Sequence, residues 1–204
     1  GLVPSDLPSE LPEQIHLLHF GSISLALEPG ASALEALMQR EHGRRIISLD
    51  PNIRPSLIQD PESYRSRFES WLELVDILRL SLSDFEWLCP DTDLTQVIES
   101  WLSKGPSLCL LTRGEQGASA YNRSGASIHM PARKIQLADT VGAGDSFMGA
   151  CLASLHRQGR LESREILLSS TEDELRACLS LGVQAAAITC SRPGADPPYL
   201  QELE

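Results

Sequence analysis

The sequence predicts an α/β fold, a mainly parallel sheet with helices on both faces and an antiparallel hairpin at one edge. Three observations predict it. Short apolar runs of strand length alternate with longer stretches whose apolar residues recur at helical spacing. Repeated strand–helix units of this kind build parallel sheets covered on both sides. After the fourth apolar run the order changes to two short alternating runs around Arg123-Ser124-Gly125, the pattern of a hairpin. A glycine-rich turn, Gly142-Ala143-Gly144, then opens a helix.

The elements follow in order. Residues 16–20 form an apolar run closed by Gly21, a strand. Residues 31–41 carry Leu34, Leu37 and Met38 at helical spacing. Residues 45–49 are a second strand, ended by Asp50-Pro51. Asp60-Pro61 supplies a helix cap and a proline at the first helical position. The helix that follows places Tyr64, Phe68, Trp71, Leu72 and Val75 on one face. Residues 76–80 are a third strand, 92–102 a helix and 107–112 a fourth strand. Residues 118–122 and 126–130 make the hairpin. Residues 145–156 are a helix with Phe147, Cys151, Leu152 and Leu155 inward. The last long helix starts at Thr171, with Glu174 three residues on completing a capping box. Residues 1–14, with their prolines and no periodic pattern, read as a linker or truncated edge, and 15–204 as one folded portion.

Composition narrows the function. A formal charge of −11 repels nucleic-acid phosphates and argues against DNA or RNA as a partner. No run approaches the roughly 18 apolar residues of a membrane span. The five cysteines, Cys89, Cys109, Cys151, Cys178 and Cys190, are odd in number and widely spaced, which fits free thiols in a reducing cytoplasm.

The chemistry concentrates at Gly142-Ala143-Gly144-Asp145. In open α/β sheets, ligands bind beyond the carboxyl ends of the strands. The first amides of a helix lack intrahelical partners and, with the helix dipole, form an anion hole for a phosphoryl group. Asp145 would stand beside that group as a base for an attacking hydroxyl. A bare loop with Asp145 as a helix cap is the simpler reading of an isolated Gly-x-Gly. A dinucleotide fingerprint fails because Phe147 stands where the third glycine belongs, and no G-x-x-x-x-G-K-[ST] occurs.

Here the sequence resembles the ribokinase-like, or phosphofructokinase-B type, carbohydrate kinases. Asp139-Thr140-Val141-Gly142-Ala143-Gly144-Asp145-Ser146-Phe147 matches the signature D-[ST]-x-G-A-G-D-[ST]-F at every position. The resemblance implies a three-layer sandwich in which Asp145 is the base, Gly142, Ala143 and Gly144 supply the anion hole, and Asp139 helps form a monovalent-cation (K+) site. Asp50-Pro51-Asn52-Ile53-Arg54-Pro55 looks like the D-x-N-x-R element of fructokinases and 2-keto-3-deoxygluconate kinases. It implies Asn52 beside the nucleotide phosphates and Arg54 as a partner for phosphate or substrate; an Asx turn accounts for Asp50-Pro51 alone. Ser83-Asp84-Phe85-Glu86 takes the place of an N-x-x-E element that orders Mg2+ through water, with Glu86 as the acid, although Ser83 as a helix cap with Glu86 at its third position explains the same residues. Thr112-Arg113-Gly114-Glu115-Gln116-Gly117 resembles a T-x-G-x-x-G nucleotide segment, giving Thr112, Gly114 and Gly117 to the nucleotide; a tight turn is the competing reading. Residues 189–195 resemble the fructokinase terminus.

The resemblance thus implies an enzyme of the fructokinase-like branch, using ATP as co-substrate and Mg2+ to convert fructose to fructose 6-phosphate. A 2-keto-3-deoxygluconate kinase is the alternative, and a non-catalytic nucleotide- or sugar-binding module the alternative from another class. It runs from about His16 onward and maps to the C-terminal two-thirds of the family. The family's G-G-N element, its main sugar-binding residues and its small β-sheet lid have no counterpart here. Since that lid mediates dimerisation in many members, a homodimer of the full-length protein stays open. Residues 1–204 alone are expected to expose a sheet edge and to fold poorly or bind sugar weakly.

Overall fold

A computed structural model describes residues 1–203. Among these residues, six strands form one sheet in chain order: β1 (Leu17–Gly21), β2 (Ile46–Asp50), β3 (Ile77–Ser81), β4 (Leu108–Thr112), β5 (Ala118–Asn122) and β6 (Ser127–Met130). The first four run parallel, and β5 and β6 add antiparallel at the far edge. Among the described residues, seven α-helices accompany them: α1 (Gly30–Glu41), α2 (Pro61–Leu72), α3 (Leu82–Leu88), α4 (Leu94–Lys104), α5 (Ala143–Arg157), α6 (Arg164–Leu168) and α7 (Glu172–Cys190).

Because successive strand residues face opposite sides, the two faces separate cleanly. Phe20, Ile47, Leu49, Leu78, Leu80 and Leu111 pack against α1, α2 and α4. There Tyr64 meets Trp71 edge-on at 5.6 Å, and Phe68 meets Trp101 at 5.3 Å. Ile46, Ile77, Leu108, Leu110 and Ala120 face α5 and α7, whose Phe147, Cys151, Leu155, Cys178 and Leu179 complete the second core. Covered on both sides, β2 is buried along its whole length, and β3 and β4 nearly so; this is why Ile46-Ile47, Ile77-Leu78 and Leu108 through Leu111 are apolar on both faces instead of alternating.

Local chemistry sets the helix starts. Asp60 caps α2 by accepting from the amides of Glu62 and Ser63, both at 3.1 Å. Thr171 and Glu174 close the capping box of α7. Two starts differ from expectation. Helix α5 begins at Ala143 rather than at residue 145, capped by Gly142 in the left-handed region (φ 78°), a conformation that glycine adopts without strain. Helix α3 is capped by Ser81 with Asp84 at its third position, two residues before the expected cap at Ser83. The short α6 was not expected. The opening residues are tied to the body by arginines, as Arg40 donates to the Pro8 carbonyl (2.7 Å) and Arg45 to that of Leu11 (2.9 Å). Among the described residues, no helix is long and apolar enough to cross a membrane. All five cysteines are free, and burial pushes the Cys109 thiol up to about 12.

Candidate active site at the amino end of α5

The sheet face beneath α5 changes character along its length. At the strand starts it presents Leu17, Ile46, Ile77 and Leu108. Toward the carboxyl ends the same alternation presents His19, Ser48, Asp50, Arg79 and Thr112, a polar stripe inside a fold otherwise packed with apolar side chains. Buried polar groups need partners; Ser48, Asp50 and Arg79 are buried and find most of theirs, Thr112 is half-buried, and His19, on the edge strand, is exposed. His19 Nδ1 lies 3.0 Å from Ser48 Oγ. Arg79 Nη1 donates to Asp50 Oδ2 at 2.7 Å, and Nη2 to Thr112 Oγ1 at 2.7 Å.

Helix α5 ends on this stripe. The Ala143 amide turns back to the Thr140 carbonyl at 3.3 Å, and the Ser146 amide donates to the Gly142 carbonyl at 2.8 Å. The amides of Gly144 and Asp145 are left at the open, positive end of the helix. Gly144 sits directly over Arg79: a Cβ built there would lie 2.9 Å from Nη1 and 3.0 Å from Nη2. The glycine at 144 is therefore required by the arginine beneath it.

Two cavities flank this helix end. The first, about 460 Å³, is lined by Asp145, Asp50, Asn52, His19, Ser22 and Ser24 among others. The second, about 690 Å³, is lined on its polar side by Arg79, Thr112, Gly114, Gly117 and Gly144, and on its apolar side by Ile135, Leu137, Val183 and Ala186. The site's charges feel one another. His19 is exposed at the cavity mouth, yet the protein packed about it removes enough water to lower its value, against the pull of Asp145 and with that of Arg79. Burial raises Asp50, more than the Arg79 guanidinium beside it draws it down.

The geometry sorts the expected residues. Gly142, Ala143, Gly144 and Asp145 form the helix end, and Thr112, Gly114 and Gly117 line the second cavity. Asn52, expected beside the nucleotide phosphates, lines the first cavity with Asp145 instead, at a backbone φ of 40°. Arg54 is exposed and folds back onto Asn52 Oδ1 at 2.6 Å. Asp139 accepts from the amides of Thr140 (2.7 Å), Val141 (3.1 Å) and Gly194 (3.0 Å), so it staples the turn before α5 to the loop after α7. Those amides, Val141 first, hold its carboxyl below the ordinary aspartate range.

Arg54, Asp139 and Glu86 line neither cavity, and Glu86 is exposed on α3. The buried acid of this segment is Asp84, whose Oδ1 accepts from the Ile53 amide (2.8 Å) and whose Oδ2 accepts from the Ser81 amide (2.9 Å) and hydroxyl (2.6 Å). It thereby ties α3 to the Asp50–Arg54 loop. Sequence reasoning also passed over Arg79 and His19. Arg79 had a visible signal, a lone cation inside an apolar run.

The family model of the pfkB family carbohydrate kinases matches residues 4–202. The chain belongs to the pfkB family of carbohydrate kinases. It is 38% identical over 175 residues to a fructokinase of Rhizobium leguminosarum bv. trifolii, covering 86% of this chain and 53% of that protein. To a fructokinase of Klebsiella pneumoniae it is 38% identical over 208 residues, covering 100% of this chain and 64% of the relative. Its fold matches the crystal structure of a fructokinase with bound ATP from Xylella fastidiosa with a TM-score of 0.84 at 25% identity, over 94% of this chain and 61% of that one. The chain thus spans between half and two-thirds of the length of these pfkB relatives.

Proposed function

We propose that the full-length protein transfers the terminal phosphoryl group of ATP to a sugar hydroxyl, converting fructose to fructose 6-phosphate. One observation carries this reading: the open end of α5 stands between two cavities, with Asp145 facing the first and the Gly144 backbone lining the second. An acceptor in the first cavity would meet a carboxylate, and a nucleotide in the second would meet backbone amides and an apolar slot. In-line transfer needs that arrangement, with a base on the acceptor side and charge stabilisation on the donor side. Asp145 takes the proton of the attacking hydroxyl. The Gly144 and Asp145 amides, at the positive end of α5, face the charge that develops on the transferring group. Ile135, Leu137, Val183 and Ala186 suit the flat face of a nucleobase. The 38% identity to fructokinases over this region favours fructose as acceptor.

Mg2+ fits as an ion bound together with ATP. Among the described residues no cluster of three acidic, histidine or cysteine side chains could hold it alone. Magnesium characteristically keeps several waters and takes one or two carboxylates besides phosphate oxygens. Of the two acids of α3, Asp84, tied to the Asp50–Arg54 loop through the Ile53 amide, is the better placed to order the ion through water. Asp139, through its three amides, shapes the turn beside which a potassium ion would bind. The five free thiols accord with a cytoplasmic protein.

The test is a coupled ADP-release assay on the full-length protein with a panel of sugars. Fructose is expected to give the highest kcat/KM. Greater turnover of 2-keto-3-deoxygluconate would reassign the acceptor within the same chemistry, and no turnover on any sugar would overturn the reading.

A further inference from the structure

Arg79 is 5% exposed, in the middle of a strand whose neighbours on both sides are apolar. An arginine is rarely so deeply buried unless it is paired. Its two partners come from different strands, Asp50 at the end of β2 and Thr112 at the end of β4. These partners open into different cavities, since Asp50 lines the first while Arg79 and Thr112 line the second. The guanidinium also carries the first turn of α5, lying against Gly144 and within 6.0 Å of the Phe147 ring centre. Its fork is thus a strut beneath the phosphate cradle. The strut is incompletely satisfied, because Asp50 Oδ1 and Arg79 Nε are both buried without a partner. A buried unpaired acceptor invites a donor.

We propose that Arg79 is a positioning residue that couples the two cavities. A hydroxyl-bearing acceptor in the first cavity completes the hydrogen bonding of Asp50, and the Asp50–Arg79–Thr112 bridge then holds the Gly144 cradle and Thr112 in the geometry that binds nucleotide in the second. This deepens the sugar-kinase reading and rests on it. The bridge acts through the cradle, so its mark is the ratio of nucleotide affinities with and without acceptor. By linkage that ratio is the same in either direction.

The experiment measures ADP binding to the full-length protein by calorimetry, without sugar and with a saturating concentration of whichever sugar it turns over. The wild type is expected to bind ADP about fivefold or more tightly when the sugar is present, the lower end of ordinary coupling. Thr112→Val cuts the bridge on the nucleotide side and leaves Asp50 and the first cavity intact. Its ratio is expected to fall to within about twofold of unity, whatever happens to the affinity for ADP alone. The double variant Arg79→Met with Asp50→Asn leaves no buried charge unpaired, and it is expected to melt cooperatively and show the same collapse. An unchanged ratio in Thr112→Val, or a wild-type ratio of one in an enzyme that turns over sugar, overturns the coupling and leaves the kinase reading standing. Turnover on no sugar overturns both.

Discussion

Gly144→Ala and Gly149→Ala place the same methyl group on the same helix and should change stability in opposite directions. At 144 the new Cβ would lie 2.9 Å from Arg79 Nη1, 3.0 Å from Nη2 and 3.2 Å from Cζ. A long side chain could normally swing aside, but this one is pinned by two hydrogen bonds of 2.7 Å and is buried. Moving it strands Asp50; moving α5 instead lifts Phe147, 1% exposed, from the core. Forcing a methyl group into a packed interior costs about 1–3 kcal/mol. The better helix propensity of alanine returns at most ~1 kcal/mol of that. With that gain taken off in full, the net loss is up to about 2 kcal/mol, or up to about 8 °C in Tm for a chain of this size. At 149 no atom lies within 4 Å of the added Cβ, so only the propensity term operates, a gain of up to ~1 kcal/mol. Thermal and urea melts followed by tryptophan fluorescence read both. A Gly144→Ala protein stabilised as much as Gly149→Ala would refute the placement of Arg79 beneath the cradle.

Asp84→Asn places an amide nitrogen where the carboxylate accepts three hydrogen bonds, and is expected to cost about 1–3 kcal/mol and to raise the Mg2+ concentration needed for half-maximal turnover. Glu86→Gln, on the exposed side of α3, should stay within about 0.5 kcal/mol of the wild type at unchanged Mg2+ demand; the reverse order in a magnesium titration would return the role to Glu86. The depressed Asp139 carboxyl gives a pH signature. Because its folded value lies below its unfolded one, its stabilising contribution is complete above the ordinary aspartate range near pH ~4 and fades as pH falls through the lowered value. Asp139→Asn should therefore flatten the acid side of the curve of Tm against pH, and an unaltered acid side would show that the three amide contacts contribute nothing.

The layers were legible because β2, β3 and β4 are covered on both faces, which leaves segments apolar on both sides, Leu108 through Leu111 most plainly. The helix end was legible because Gly142, Gly144 and Asp145 are adjacent in the chain, so their chemistry is local. The α3 register was not. Ser-x-x-acid occurs in two overlapping frames, Ser81 with Asp84 and Ser83 with Glu86, and both satisfy the rule for a capping box. What separates them is tertiary: the Ile53 amide, 31 residues away, meets Asp84. The partners of Arg79 were hidden for the same reason, lying 29 and 33 residues away, in strands adjacent only once the sheet forms. The motif places Asn52 near the phosphates without saying which cavity it faces, and the fold sets it in the first. The five-residue α6 is too short for its periodicity to stand out.

The central claim is that phosphoryl transfer occurs at the open end of α5, with Asp145 as the base. Its most direct test is Asp145→Asn in the full-length protein, with kcat and ADP affinity measured side by side. Asp145 faces the first cavity and does not line the second. Turnover is therefore expected to fall by about 10²–10⁴-fold while ADP affinity changes little. Turnover within a fewfold of the wild type would contradict the account.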